Sequence, residues 1–466
     1  MCSIVDGAFP DEEVKANEDN AGEQQQRLCQ KCKAQVPIVT LRKKDVYCKD
    51  CFLHNCNHKF RSTLGKNKAI KINDQVLVAF SGSQGSLAIL KLIQNSFQDR
   101  NNPKKIQYHP HIFIIDETEI NPNFDLESIL TTAQVFEYPL AICPISAFLN
   151  LKVGFKVYSR TDYKLSKEEN HCGEKFQKIL GQIQDASLEA TFLKDVRLQI
   201  LSMAAKALSC NKIFSGESAT SLAISLLSGV AMGRGAQVAN QSGFRDFRSA
   251  DVPLLRPLRE FSVDEVAFFN KYQLPEIMPT PHVSKATAQD RGYSIEKLTE
   301  TFVLGLQSGF PSTVPTIFRT GDKLRAETVD ESVQCSLCLG SIDVNNEENR
   351  SCTALEAVKF SKLVSEQGPK GLPEAQLLTI NALERMKIQA DEQPGEPCGQ
   401  GMCAEGTRCK SGKEEEEGIE LSQGFCYSCW NALSTIKPLP AVLVDEATRK
   451  QRQREMKAEI QDFLIE

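Results

Sequence analysis

The run Gln75-Val-Leu-Val-Ala-Phe80 is short, continuous and apolar, the pattern of a strand buried on both faces. Ser81 to Ser86 interrupts it, and Leu87 to Ile93 reads as a helix. His111 to Asp116 repeats the buried-strand pattern, as in a β-α-β unit. Val135 to Ile142 reads as a third strand, and residues 160–185 are polar and predict a loop or insertion. Leu193, Val196, Ile200, Ala204 and Leu208 keep helical spacing, Lys212 to Ser215 is a brief strand, and Ala219 to Leu227 is an apolar helix. Ser262 with Glu265 three positions on predicts a capped helix over 263–272. Alternating strands and helices predict an α/β fold with a doubly wound, mainly parallel sheet.

Outside this stretch the pattern loosens. Residues 1–27 are acidic and polar and predict a disordered tail. A cysteine module with a basic connector fills 28–70, the α/β domain 71–290, and a second cysteine-bearing region 291–440. Within the last, 341–350 and 391–424 read as polar inserts. A charged helix, Asp445 to Ile465, closes the chain in 441–466.

Composition narrows the classes. The 466 residues are 41% hydrophobic and 25% charged, with a net charge of −5. That balance gives no global attraction to nucleic acid, so any such contact must come from local basic patches. No apolar run approaches the roughly 20 residues that span a bilayer, and the acidic N-terminus lacks the features of a signal peptide. A cytosolic protein is expected. In that compartment seventeen cysteines point to thiolate metal ligands or catalysis rather than disulfides.

Two constellations carry chemistry. Ser81-Gly82-Ser83-Gln84-Gly85-Ser86 sits where a strand meets a helix N-terminus, where N–H groups and the helix dipole favour an anion. Small residues let the backbone approach a phosphate, and the hydroxyls add donors. Ser81, Gly82, Ser83, Gly85 and Ser86 are therefore candidate phosphate ligands, for ATP or AMP. The Walker A ending and the G-x-G-x-x-G spacing are both absent. The second constellation is Cys29-x2-Cys32-x15-Cys48-x2-Cys51, the spacing of a four-cysteine zinc ribbon. Cys335-x2-Cys338 and Cys426-x2-Cys429 form a second candidate quartet across a long insert, a distance that loop-closure entropy tolerates. Four thiolates suit zinc or an iron–sulfur cluster equally. Cys398, Cys403 and Cys409 could compete as ligands, and Cys143, Cys172, Cys210 and Cys352 read as inert.

The serine–glycine loop resembles the PP-loop, Ser-Gly-Gly-x-Asp-Ser, of ATP pyrophosphatases that adenylate a substrate. Ser81, Gly82 and Ser86 match, whereas Ser83 replaces the second Gly and Gly85 replaces the Asp that serves magnesium–pyrophosphate chemistry. Further motifs follow in order: Tyr47-Cys-Lys-Asp-Cys51-Phe with His58-Lys-Phe-Arg61, Phe113-Ile-Ile-Asp116-Glu117, Cys210-Asn-Lys-Ile-Phe-Ser-Gly216-Glu-Ser-Ala-Thr220, Leu255-Arg-Pro-Leu-Arg259-Glu and Cys426-Tyr-Ser-Cys429. Together, over roughly residues 28 to 435, they resemble the cytoplasmic tRNA 2-thiolation protein 2 family.

That resemblance implies a subunit needed for 2-thiolation of the wobble uridine in tRNA for Lys, Glu and Gln, giving 5-methoxycarbonylmethyl-2-thiouridine. The subunit would form a heterodimer with a catalytic paralogue, and sulfur would arrive as the thiocarboxylate of a ubiquitin-like carrier. The active paralogue carries Gly-His-Asn-x-Asp-Asp where this chain has Gly216-Glu217-Ser218-Ala219-Thr220-Ser221. It also carries a sulfur-transfer thiol where this chain offers Thr191, Phe192, Leu193 and Lys194. Three eroded features imply a non-catalytic or degenerate subunit. The alternatives are an independently active adenylating sulfurtransferase and a scaffold with no nucleotide role. Asp116, with Glu117, would contact a ribose or begin a solvated loop. Lys59, Arg61, Lys66, Lys68 and Lys71, with Arg256 and Arg259 beside a proline and Arg245 and Arg248 upstream, are candidate phosphate contacts to tRNA.

Overall fold

A computed structural model describes residues 28–42, 44–98, 107–163, 167–249, 251–277, 279, 294–324, 334–342 and 424–461. The expected acidic tail, most of the polar inserts, and Cys352, Cys398, Cys403 and Cys409 lie outside the described residues.

The chain begins with a small hairpin, β1 (Val39–Leu41) and β2 (Asp45–Tyr47), followed by helix α1 (Lys49–Lys66). Next come β3 (Gln75–Ala79), α2 (Gln84–Gln98), β4 (His109–Asp116), α3 (Leu126–Gln134) and β5 (Leu140–Pro144). A 3-10 turn, Ile145–Asn150, leads to α4 (Lys167–Gln182), α5 (Ala186–Ala207), β6 (Lys212–Phe214) and α6 (Ala219–Ala231). Then follow α7 (Val238–Ser242), β7 (Arg245–Asp246), β8 (Leu254–Leu255) and α8 (Val263–Gln273). The rest comprises α9 (Ile295–Gly309), α10 (Thr313–Gly321), α11 (Tyr427–Leu433) and α12 (Ala441–Gln461).

The six-stranded sheet runs β5-β4-β3-β6-β8-β7. Its strands pair in parallel except for β7, which runs against β8. The order reverses between β3 and β6, so the switch point opens at the carboxyl ends of those two strands. Alternation along β3 sends Leu77 to one face and Val76 and Val78 to the other. The Leu77 face packs on α4 and α5 through Phe176, Phe192, Val196 and Ile200. The opposite face packs on α1, α2 and α8 through Phe52, Phe60, Leu87, Ile89, Val266 and Phe269. This is the expected α/β, doubly wound, mainly parallel architecture.

Three stretches differ from the sequence reading. The basic connector is the second half of α1, because Phe52, Cys56, Phe60 and Leu64 recur at every fourth position and are buried, one stripe of a helix. The polar stretch 160–185 contains α4, whose Phe176 and Leu180 are buried. Elsewhere local chemistry works as read. The Ser262 hydroxyl accepts from the Glu265 N–H, and the Glu265 carboxylate accepts from the Ser262 N–H, forming a capping box. Asp185 caps α5, accepting from the N–H groups of Ser187 and Leu188 at 2.8 and 2.9 Å. The third strand is shorter than expected and starts at Leu140, because α3 extends to Gln134 first.

Candidate functional site

The serine–glycine loop spans β3 and α2 at the switch point. Gly82 has φ +74°, the left-handed region where glycine costs least. The hydroxyls turn onto one another: Ser81 Oγ donates to Ser83 Oγ at 3.1 Å, and Ser86 Oγ donates to the Ser83 carbonyl at 3.0 Å. Ser83 and Ser86 are buried. The first turn of α2 is further tied to α8, where the Asn270 amide donates to the Gln84 carbonyl at 2.8 Å.

Gly85 explains the departure from the PP-loop pattern. A Cβ placed there would lie 2.1 Å from the Gly216 carbonyl oxygen and 3.0 Å from its carbon. The loops that follow β3 and β6 therefore touch, backbone to backbone, across the switch point. The aspartate that the pattern expects at this position has no room unless the second loop withdraws.

The neighbouring polar groups are engaged with one another. Asp116 is buried at the end of β4 and accepts from the Tyr163 hydroxyl at 2.6 Å and the Thr118 N–H at 2.9 Å. Burial, and then the adjacent Asp116 carboxylate, push the Tyr163 phenol far above its ordinary range. Glu117 receives two bonds from Arg197, at 2.6 and 2.8 Å. On the other side of the crevice Glu217 accepts from Ser215 Oγ at 2.9 Å and from Arg256 Nε at 2.7 Å. Arg256 also donates to the carbonyls of Asn240 and Gly243, both at 2.9 Å, and to Asp246 at 3.0 Å.

Those contacts correct one sequence expectation. Arg256 does not stand on the rim facing phosphates; it is 2% exposed. An unpaired buried guanidinium would cost several kcal/mol, and here every arm has a partner. Arg248 is likewise buried against Asp246 at 2.8 Å. Burial alone would raise the Asp246 pKa, but Arg248 and Arg256 outweigh it and hold the carboxyl at about 2. Arg259 lies over the Phe318 ring, 4.4 Å from its centroid, and pairs with Asp322. Lys59 pairs with Glu265 at 2.8 Å and lies 4.8 Å from the Phe261 ring centroid. Lys66 and Lys68 are exposed, and Arg61 is half-buried.

Both cysteine quartets assemble. The sulfurs of Cys29, Cys32, Cys48 and Cys51 all lie within 4.8 Å of one another, as do those of Cys335, Cys338, Cys426 and Cys429. The β1–β2 hairpin carries the first pair of ligands up to the N-terminus of α1, where Cys48 is the N-cap. Burial opposes the Cys29 thiolate, but the N–H groups of Cys32, Cys48 and Lys31 outweigh it and bring that pKa to about 6. In the second quartet Cys426 is the N-cap of α11, and all four cysteines are buried in the Leu77-face core. The sulfurs of Cys32 and Cys48 stand 3.9 Å apart and those of Cys338 and Cys426 3.8 Å apart. Sulfurs bonded at about 2.3 Å to one tetrahedral ion stand roughly 3.8 Å apart, so both quartets fit a metal. Beside the second, Arg234 donates to Asp195 at 2.7 Å, Cys429 Sγ lies 3.7 Å from the same carboxylate, and Arg248 donates to the Cys338 carbonyl at 3.2 Å.

Sequence reasoning missed Asp195, Arg234 and Tyr163. Their partners are 39, 39 and 47 residues away, and no spacing rule links such pairs.

These features define a class: an α/β protein with a doubly wound, mainly parallel sheet, a serine–glycine loop touching the turn after β6 at the switch point, and two cysteine quartets. A family model described as cytoplasmic tRNA 2-thiolation protein 2 matches residues 294–431. Curated proteins of that description match nearly the whole chain. That of Danio rerio is 29% identical, covering 94% of each chain. That of Homo sapiens is 27% identical, covering 95% of this chain and 94% of the other. Along nearly its whole length the chain is thus similar to proteins described as cytoplasmic tRNA 2-thiolation protein 2. Among solved structures, a U34-tRNA thiolase, NcsA, from Methanococcus maripaludis with its [4Fe-4S] cluster is similar. It has TM-score 0.47 and 17% identity over 65% of this chain and 89% of that one.

The Gly85 contact generates a prediction. Gly85→Asp, which restores the PP-loop acid, should destabilise the protein by about 1–3 kcal/mol, the usual cost of overpacking. Urea unfolding measures it, and unchanged stability would mean that the two loops separate freely.

Proposed function

We propose that this protein is a subunit of a cytoplasmic tRNA 2-thiolation complex that has given up the adenylation step. The similarity to curated relatives along 94% of the chain supports the pathway. The observation that carries the non-catalytic reading is the contact between Gly85 and the Gly216 carbonyl. A nucleotide would need the space that this contact closes, and the groups that would receive it are spent on Tyr163 and Arg256. On this reading a catalytic paralogue adenylates the wobble uridine of tRNA for Lys, Glu and Gln and takes sulfur from a thiocarboxylated ubiquitin-like carrier. This chain then holds the tRNA and the paralogue in a heterodimer.

Each quartet, on the same reading, holds one tetrahedral zinc ion as a closed structural site. The sulfur separations support a single ion, because thiolates sharing one centre stand closer than thiolates spread over the irons of a cluster. Metal bound there contributes to folding outright. Elemental analysis of anaerobically purified protein should find about two zinc per chain and no visible absorption. A brown protein carrying iron and sulfide would overturn the zinc assignment.

The functional test is wobble-uridine 2-thiolation in cells lacking this chain. Wild type and Ser81→Ala should restore it equally, and Cys335→Ser should not. Loss of thiolation with Ser81→Ala would show that the loop takes part in the chemistry.

A further inference from the structure

Between Asp50 and Asp74 the sequence contains no acidic residue, although it holds Lys59, Arg61, Lys66, Lys68 and Lys71. In a chain of net charge −5 this local excess is the feature that could attract a polyanion. Helix α1 sorts it into two sides. Phe52, Cys56, Phe60 and Leu64 enter the core, while His54 and His58 are exposed on the other side, with Arg61 half-buried between them and the core. Lys59 is spent on Glu265.

A cavity of about 150 Å³ lies between this outer side of α1 and the end of α2. It is lined by His54, Asn57, Arg61, Asn95 and Ser96, every one polar and none acidic. Its amides are held in place: Asn95 Nδ2 donates to Asn57 Oδ1 at 3.1 Å and to Gln273 Oε1 at 3.3 Å, and Asn57 Nδ2 donates to the Leu53 carbonyl at 2.8 Å. The cavity is separate from the switch point. Asn95 is eleven residues beyond Gln84 on α2, roughly 16 Å along the axis at 1.5 Å per residue. It therefore lies toward the end of the sheet opposite the serine–glycine loop.

We propose that this cavity binds one nucleotide of an RNA backbone. Arg61 and His54 supply N–H donors for the phosphate, and an imidazole donates in either protonation state. Asn95 Nδ2 and Ser96 Oγ already donate within the protein, Ser96 to the Leu92 carbonyl at 2.8 Å, so the amide and hydroxyl oxygens of the cavity are there to accept from a ribose 2′-hydroxyl, a donor that deoxyribose lacks. The strand continues past the exposed Lys66, Lys68 and Lys71, which neutralise further phosphates without reading sequence. This inference rests on the tRNA reading above and places the RNA on the sheet end away from the closed crevice.

The test uses the full chain with its metals, an unmodified tRNA transcript and a DNA strand of the same sequence, by fluorescence anisotropy over a range of salt. Arg61→Gln should weaken tRNA binding roughly tenfold, the size of one charge-assisted hydrogen bond. It should also reduce the slope of log affinity against log salt by about one. Asn95→Leu, which crowds the cavity, should weaken RNA binding more than DNA binding, and Lys178→Gln on α4 should leave both at wild-type strength. Ser96→Ala, which removes one hydroxyl without filling space, should act in the same direction if Asn95→Leu does not fold. Wild-type tRNA binding with unaltered affinity and slope in the variants would overturn the cavity assignment and leave the functional reading standing. No tRNA binding by the wild-type chain at any salt would overturn both.

Discussion

Arg256 is the largest fully buried side chain among the described residues, and much of the site depends on how its charge is met. Taking a guanidinium out of water costs several kcal/mol unless all its donors are used. Here the three nitrogen arms reach Glu217 on the turn after β6, the carbonyls that end α7, and Asp246 on β7. One side chain thus fastens the turn, the short helix and the edge strand together. Removing either acid would leave the buried guanidinium with one carboxylate in place of two, and breaking such a buried pair costs up to about 3–5 kcal/mol.

The same fastening bears on the proposed function. With Glu217 bound to Arg256, the turn that carries the Gly216 carbonyl is held against Gly85 at the switch point where parallel α/β folds take their ligands. Glu217 stands where the resemblance places a histidine, so on the proposed reading the residue that departs from the catalytic pattern also helps to close the site. The ion pairs continue from Asp246 through Arg248 to Asp195 and Arg234. They end against Cys338 and Cys429. The second cysteine quartet is therefore part of the α/β core rather than an appendage to it, which is why ligands 88 residues apart, Cys338 and Cys426, can converge.

Much of this was legible in the sequence for physical reasons. Strands β3 and β4 are buried on both faces, so they appear as continuous apolar runs. The capping box of α8 and the first quartet are local patterns with fixed spacing. The helix in 167–182 was hidden because its buried Phe176 and Leu180 stand among charged and polar neighbours. The helix in the basic connector is hidden for a different reason: the four-residue spacing of Phe52, Cys56, Phe60 and Leu64 runs across the boundary between the cysteine module and the lysine-rich stretch. Arg256 and Arg259 look alike in sequence, three positions apart beside a proline, yet only the fold supplies Arg256 with buried acids 39 and 10 residues away. The sequence showed the loop and its missing acid; that Gly85 has no room for one became visible only when the turn after β6 was in place.

The central claim is that the crevice no longer takes a nucleotide. Titration calorimetry of ATP with magnesium into the purified full chain tests it most directly. The account predicts no saturable binding up to millimolar ATP, and the same flat response for Ser81→Ala. Saturable binding by the wild-type chain that Ser81→Ala abolishes would contradict it, because the serine–glycine loop would then still be a phosphate cradle.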